Sequence, residues 1–237
     1  MVVVDVGIHH DMTGVPGLLD RKIAWGTKNI AEGPAMTREQ AIRSIEIGIE
    51  IAEENVRKGY KVFSIGEMGI SNTTSSACIL GTFNHWNAIE VTGRGTNISD
   101  ERLIHKVEVV QKAMDVNHPD PKDGLDVLAK VGGFEFGCLT GVILGAAANH
   151  AMTIIDGFNT TASAFIAKAL APQGTDYLMA SHLSLEQAHK KSLAALGLSE
   201  YIDLDFRLGE SIGAGIQKKM LDMAISVYRE CVTKEEA

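Results

Sequence analysis

The chain has 237 residues, 45% of them hydrophobic and 22% charged, which allows one sizeable core or at most two small domains. Its net charge of −8 excludes the basic clusters of a nucleic-acid surface, and no apolar run approaches the roughly 20 residues that cross a bilayer, so neither nucleic acid nor membrane is expected as a partner. Cys78, Cys138 and Cys231 are odd in number and far apart, which argues against a disulfide framework or zinc site and for a reduced, cytoplasmic protein.

The opening Met-Val-Val-Val-Asp lacks a basic region and a cleavage site, so no signal peptide is expected. A β-branched run over residues 2–6 ends at Gly7 and reads as a buried strand with no helix ahead of it. His9, His10 and Asp11 follow, but adjacent side chains there point apart, and three convergent metal ligands are not expected. Residues 13–34 hold Gly14, Pro16, Gly17, Gly26, Gly33 and Pro34 and read as one long irregular segment, of the kind that serves function in a compact domain. Its Arg21, Lys22 and Lys28 suit an anionic ligand, a partner subunit or plain solvation. Thr37-Arg38-Glu39-Gln40 is a capping box, after which Ala41, Ile45, Gly48, Ile49, Ala52 and Val56 recur at helical spacing until Gly59. A strand over residues 62–65 comes next, so strand, helix and strand predict a parallel, right-handed crossover.

Glycines then flank Glu67, a polar run follows, and residues 75–80 can start a helix. A strand that breaks at glycine and re-enters as a helix aims free backbone N–H groups at one spot, which attracts phosphate. A carboxylate inside that turn repels phosphate. Glu67 is therefore expected to face a sugar hydroxyl or a positively charged ring beside it; the alternative is a plain glycine-rich turn with an exposed Glu. Trp86 reads as a core or interface anchor, and residues 88–91 as a strand or helix end. Residues 92–97 form a second Gly-rich turn, and Ser99 caps a helix bearing Leu103, Ile104, Val107 and Val110. Lys106, on that helix, either reaches a phosphate or is a surface lysine.

Residues 124–131 read as a short helix, Gly132, Gly133, Phe134 and Gly137 as a flexible connection, and residues 141–150 as a small-residue helix. Strands are expected at residues 153–155, 177–179 and 201–204, each followed by a helix, with Ser184 capping the one over residues 185–196. A final amphipathic helix runs to about Arg229, and Lys234-Glu235-Glu236-Ala237 is expected to fray. The alternation predicts an α/β fold: a single domain over residues 1–237, three layers, with a mostly parallel, Rossmann-like sheet covered by helices on both faces. Ligands of such sheets gather beyond the carboxyl ends of the strands. Glu67, Asp156 with Asn159, Ser181 with Ser184, and Glu210 all sit there. Two carboxylates over one pocket suit acid–base work or stabilisation of an oxocarbenium-like sugar.

Gly66-Glu67-Met68-Gly69-Ile70-Ser71-Asn72-Thr73-Thr74 resembles the phosphate-loop motif of nicotinate-nucleotide–dimethylbenzimidazole phosphoribosyltransferases. The resemblance continues in collinear order through Leu19-Asp20-Arg21-Lys22-Ile23, Gly33-Pro34-Ala35-Met36-Thr37, Thr92-Gly93-Arg94-Gly95-Thr96, Asp156-Gly157-Phe158, Ser181-His182 and Arg207-Leu208-Gly209-Glu210. It implies transfer of phosphoribose from nicotinate mononucleotide to a benzimidazole-type base, yielding α-ribazole phosphate for the lower ligand of cobalamin-type cofactors. It also implies that Glu210 is the catalytic carboxylate and takes the azole proton. Glu67 would bind the ribose side, and the N–H groups of Gly69, Ile70, Ser71, Asn72 and Thr73 would hold phosphate. Gly93, Gly95, Lys106 and Ser184 carry over to the same phosphate and ribose region, and Leu208 to the substrate site. Neither cofactor nor metal is implied, because a pyridinium is already a good leaving group.

Ser71 and Ser211 stand where the family pattern usually has glycine. The pattern also implies that the opening part of a typical chain, with some of the base pocket's wall, is not in this sequence and comes from elsewhere, for instance from a separate chain. A homodimer is expected. The alternative function is a non-catalytic nucleotide-binding or dimerising homologue.

Overall fold

The computed structural model describes residues 1–206 and 208–232; Arg207 and the tail expected to fray lie outside them. All strand pairs among the described residues are parallel. β1 (Val3–Asp5) pairs with β2 (Leu18–Asp20). β3 (Val62–Ser64), β4 (Met152–Ile155) and β5 (Leu178–Ala180) form the central sheet in that order. β6 (His182–Ser184) pairs with β7 (Ile202–Phe206). The helices are α1 (Arg38–Arg57), α2 (Asn72–Asn84), α3 (Ala88–Val91), α4 (Asp100–Asn117), α5 (Gly124–Val131), α6 (Phe134–Ala148), α7 (Phe158–Leu170), α8 (His189–Leu196) and α9 (Ile212–Glu230). Among the described residues no helix is long and apolar enough to cross a membrane.

The expected parallel α/β architecture is present, divided into three small sheets. Alternation along β3 shows why helices cover both faces of the central one. Phe63 packs against the cluster that contains Leu139, Val142 and Ile143 of α6, whereas Ser64 Oγ donates to the Ala214 carbonyl of α9 at 3.3 Å. The crossover expected from the first strand through α1 to β3 does not form. β1 pairs instead with β2, which lies inside residues 13–34, expected to be irregular. Three residues are too short a run to show a period of two.

The capping box at the head of α1 is in place: Gln40 N–H donates to Thr37 Oγ1 at 3.2 Å and Thr37 N–H to Gln40 Oε1 at 3.0 Å. A second box, Asn87 with Glu90, makes residues 88–91 a helix. Gly137, expected in a flexible connection, lies inside α6, and with Gly141 of the same helix and Gly48 of α1 it sits at a close helix contact. A Cβ on Gly137 would lie 1.8 Å from Ser44 Oγ, one on Gly48 1.9 Å from the Cys138 carbonyl, and one on Gly141 2.0 Å from the Ile45 carbonyl. The α1 and α6 backbones therefore touch, and glycine is there for approach, not flexibility. This seam helps bury Ile45, Ile47 and Ile51, each contributing roughly 1.5–3 kcal/mol of transfer free energy. Ala77, Leu80, Val110, Leu128 and Phe165 join α2, α4, α5 and α7 in a second cluster. Ile65, Ile155 and Ala180, at the carboxyl ends of β3, β4 and β5, are buried in a further cluster with α6, so the loops that follow start from packed positions.

Candidate active site

The loop after β3 carries Glu67, whose carboxylate is enclosed by donors. Oε1 accepts from Asn159 Nδ2 at 2.7 Å; Oε2 accepts from Gly69 N–H at 2.7 Å and from Asn72 Nδ2 at 2.5 Å. Asn159 stands at the start of α7, just beyond β4. It also donates to Asn72 Oδ1 at 2.9 Å and accepts from Ser76 Oγ at 2.7 Å, which fixes both amide orientations. Three N–H donors on one carboxylate lock its rotamer and fix where its charge sits. Asn72 Nδ2 also donates to Glu135 Oε1 at 3.2 Å. Burial pushes the Glu135 carboxyl above the ordinary range, and neighbouring Glu67 pushes it the same way. Glu135 and Asn159 were not among the residues the family resemblance pointed to. Their link to Glu67 is made across the fold and leaves no local pattern.

The second acidic loop follows β7. Ile212 N–H donates to the Gly209 carbonyl at 3.3 Å, closing a turn whose central residues, Glu210 and Ser211, have φ of +62° and +67°. Two positive φ values are the mark of a type I′ turn, which normally uses Gly, Asn or Asp. Ser71, heading α2, is likewise left-handed at φ +63°, and neither serine caps its helix with its side chain. Both therefore occupy backbone that glycine adopts at no steric cost, which is the physical reason glycine suits these two positions.

The two acidic loops are in contact. A Cβ on Gly66 would lie 2.3 Å from Ser211 N, and one on Gly209 would lie 3.8 Å from Glu67 Oε1 and 3.7 Å from Asp156 Oδ2. Glu67 and Glu210 thus share one rim, with the Glu210 side chain open to water. Three apolar side chains on the same loops are exposed as well: Met68, Ile70 and Leu208.

On the other side of Glu67 is the N-terminus of α2. The N–H groups of Ile70, Ser71, Asn72 and Thr73 have no acceptor among the described residues. Gly69 N–H, expected to be one of this set, turns inward to Glu67 instead. Lys106 Nζ donates to Thr73 Oγ1 and to the Gly93 carbonyl, both at 2.9 Å, leaving one of its three protons uncommitted. Burial lowers the Lys106 pKa, while the Glu186 carboxylate pulls it back up.

The second glycine loop is held by a residue that sequence reasoning missed. Glu186 Oε1 accepts Gly95 N–H at 2.7 Å, and its other oxygen, shielded from water and unpartnered, lies 1.9 Å from where a Cβ on Gly93 would stand. The Gly95 amide is thus committed to Glu186, while the Gly93 carbonyl holds Lys106. Nothing around Glu186 in the chain distinguishes it from any exposed turn glutamate.

Ser184 is the last residue of β6; it does not cap a helix. α8 begins only at His189, behind Ala188. Ser184 N–H donates to His189 Nδ1 at 2.9 Å, and its Oγ accepts from Glu186 N–H at 3.4 Å, so it shapes the turn that carries Glu186. An open cleft of about 540 Å³ bordered by Asp20–Ile23 and by Glu39, Gln40, Arg43 and Ile47 shares no residue with this rim.

Comparison with known proteins gives the class. A family model described as Phosphoribosyltransferase matches residues 1–237, so the chain is a pentosyl-transferring glycosyltransferase. A nicotinate-nucleotide–dimethylbenzimidazole phosphoribosyltransferase of Clostridioides difficile (strain 630) is 47% identical over 236 residues, which are 100% of this chain and 68% of that protein. One of the same name from Syntrophotalea carbinolica is 50% identical over 238 residues, 99% of this chain and 67% of that one. The crystal structure of CobT from Thermus thermophilus has a TM-score of 0.93 at 38% identity, covering 99% of this chain and 70% of its own. The chain belongs to the nicotinate-nucleotide–dimethylbenzimidazole phosphoribosyltransferase family.

Proposed function

We propose that this chain transfers phosphoribose from nicotinate mononucleotide to dimethylbenzimidazole or a related base, releasing nicotinate and forming α-ribazole phosphate for the lower ligand of cobalamin-type cofactors. One observation carries the reading: a carboxylate fixed by three donors, Glu67, touches the turn that bears a second, solvent-facing carboxylate, Glu210, and both lie beside an open helix N-terminus.

The phosphate is held by the N–H groups of Ile70, Ser71, Asn72 and Thr73 and by the remaining proton of Lys106. Glu67 faces the ribose. It stabilises positive charge as the bond from the pyridinium nitrogen to C1′ breaks and that electron pair leaves with nicotinate. The unprotonated ring nitrogen of the azole forms the new bond to C1′. The proton on the other ring nitrogen passes to Glu210, whose exposure leaves its oxygens available to take it. Met68, Ile70 and Leu208 offer apolar surface to the aromatic base. Residues 1–237 form a single domain that works as a homodimer, with the part of the base pocket not in this sequence supplied from elsewhere, for instance by a separate chain; the exposed Met220, Met223, Val227 and Tyr228 of α9 supply an apolar face for dimerisation.

Calorimetry with nicotinate mononucleotide and an assay of nicotinate release in the presence of dimethylbenzimidazole test this together. Binding with base-dependent release is expected. Binding without release would make the chain a nucleotide-binding homologue, and absence of binding would remove the assigned site.

A further inference from the structure

Asp156 closes β4 and is almost wholly buried, at 2% exposure. A carboxylate so placed needs donors, and it finds them on a segment far along the chain. Oδ2 accepts Ser211 N–H at 3.2 Å and Oδ1 accepts Ala214 N–H at 3.0 Å. These are orphan amides at the head of α9, where helical geometry provides no internal acceptor. Ser211 has no side-chain cap to offer them, so Asp156 serves as the cap from another strand.

The surroundings leave this carboxylate little freedom. His182 Nδ1 lies 3.7 Å from Oδ1, too far for a hydrogen bond. Ser181 Oγ donates to the Asp156 carbonyl at 2.9 Å, so its 3.2 Å contact with His182 Nδ1 requires that nitrogen to be the donor. A Cβ on Gly213 would lie 1.9 Å from His182 Nδ1, so the histidine ring is pressed against the first turn of α9. Burial holds His182 toward its neutral form and pushes Asp156 above the usual carboxylate range, while the Ala214 amide, His182 and the Ser211 amide pull Asp156 back down.

The segment held in this way is the costly one. Left-handed backbone is sterically unfavourable for a non-glycine residue, and Glu210 and Ser211 adopt it in succession. Such a conformation persists only where its surroundings over-determine it. We propose that Asp156 is a positioning residue for Glu210: by accepting the Ser211 and Ala214 amides it holds the left-handed turn in the one geometry that presents the Glu210 carboxylate over the rim beside Glu67. The proposal rests on the reading of Glu210 as the proton acceptor, because it assigns Asp156 its effect through that residue.

Nicotinate release by the full chain is measured for the wild type, Asp156→Asn, Glu210→Gln and the double variant, with kcat and KM for nicotinate mononucleotide determined separately. Asp156→Asn keeps the shape but presents an NH2 to one of the two amides. Its kcat is expected to fall about 10–100-fold, the cost of a displacement of about 1 Å at a reacting group, while KM changes less than about threefold. The double variant is expected to be no slower than Glu210→Gln alone, because both changes remove the same function. Asp156→Ser, whose hydroxyl stops one bond short of both amides, gives the same comparison if the Asn variant does not fold, and is expected to lower kcat at least as much.

A loss shared equally between kcat and KM, or losses that multiply in the double variant, would overturn the positioning role while leaving Glu210 in place. Full activity of Glu210→Gln would overturn both.

Discussion

Asn159 donates its side-chain amide to the Glu67 carboxylate across 2.7 Å, joining the loop beyond β4 to the loop beyond β3. The same amide group also donates to Asn72, so one side chain organises both the acid and the head of α2. Asn159→Ala removes a donor from a charged acceptor and leaves Ser76 without its acceptor. The loss is on the order of 1.5–3 kcal/mol for the charged bond. Steady-state assays of nicotinate release are expected to show kcat/KM about 10–100-fold lower. Asn159→Asp is expected to be worse, because it places a second carboxylate against Glu67.

Lys106 has two protons committed to Thr73 and Gly93 and one free. If that proton meets the phosphate of the mononucleotide, Lys106→Met weakens binding of the mononucleotide by about tenfold or more, the worth of a charge-assisted bond. The corresponding nucleoside, which has no phosphate, is expected to bind wild type and variant alike. Calorimetry with both ligands checks this; an equal loss for both would place Lys106 in a structural role only.

Much of the frame was legible in the sequence. Capping boxes, helical periodicity and short β-branched runs located α1, α4, β3 and β4, because each is a local preference that tertiary structure did not need to override. The strand-end position of Glu67, Asp156, Asn159 and Glu210 was legible for the same reason. Residues 13–34 concealed β2, whose pairing to β1 gives three residues no periodicity to display. Gly137 read as part of a flexible connection because the sequence does not reveal that Ser44 approaches it from α1. Glu186, Glu135 and His189 were missed as participants because each acts on residues that chain order separates from it.

His189 gives the fold a pH dependence. Thr161 Oγ1 donates to the Gly157 carbonyl at 2.9 Å, so at 3.0 Å it accepts from His189 Nε2, while His189 Nδ1 accepts the Ser184 N–H. Both nitrogens are satisfied only in the neutral ring. Burial, with neighbouring His182 adding to it, lowers the pKa from 6.5 to about 3. The unfolded chain therefore binds this proton more readily than the folded one. The contribution is fully present above pH 6.5 and is lost as the pH falls toward 3. Urea titrations of wild type and His189→Gln, at pH 7.5 and pH 5, are expected to show the wild type's advantage shrinking by roughly 2 kcal/mol at the lower pH. An advantage that does not change with pH would show that the ring is not held neutral.

The central claim is that Glu210 removes a proton at a site whose ribose and phosphate contacts are made by other residues. The most direct test pairs base-dependent nicotinate release with mononucleotide calorimetry on Glu210→Gln. Turnover is expected to drop by about 100-fold or more, within the usual range for loss of a general base. The dissociation constant for nicotinate mononucleotide is expected to stay within about threefold of wild type, because Lys106 and the α2 amides are untouched. Undiminished turnover in that variant, or a collapse of mononucleotide binding with the loss of turnover, would contradict the account.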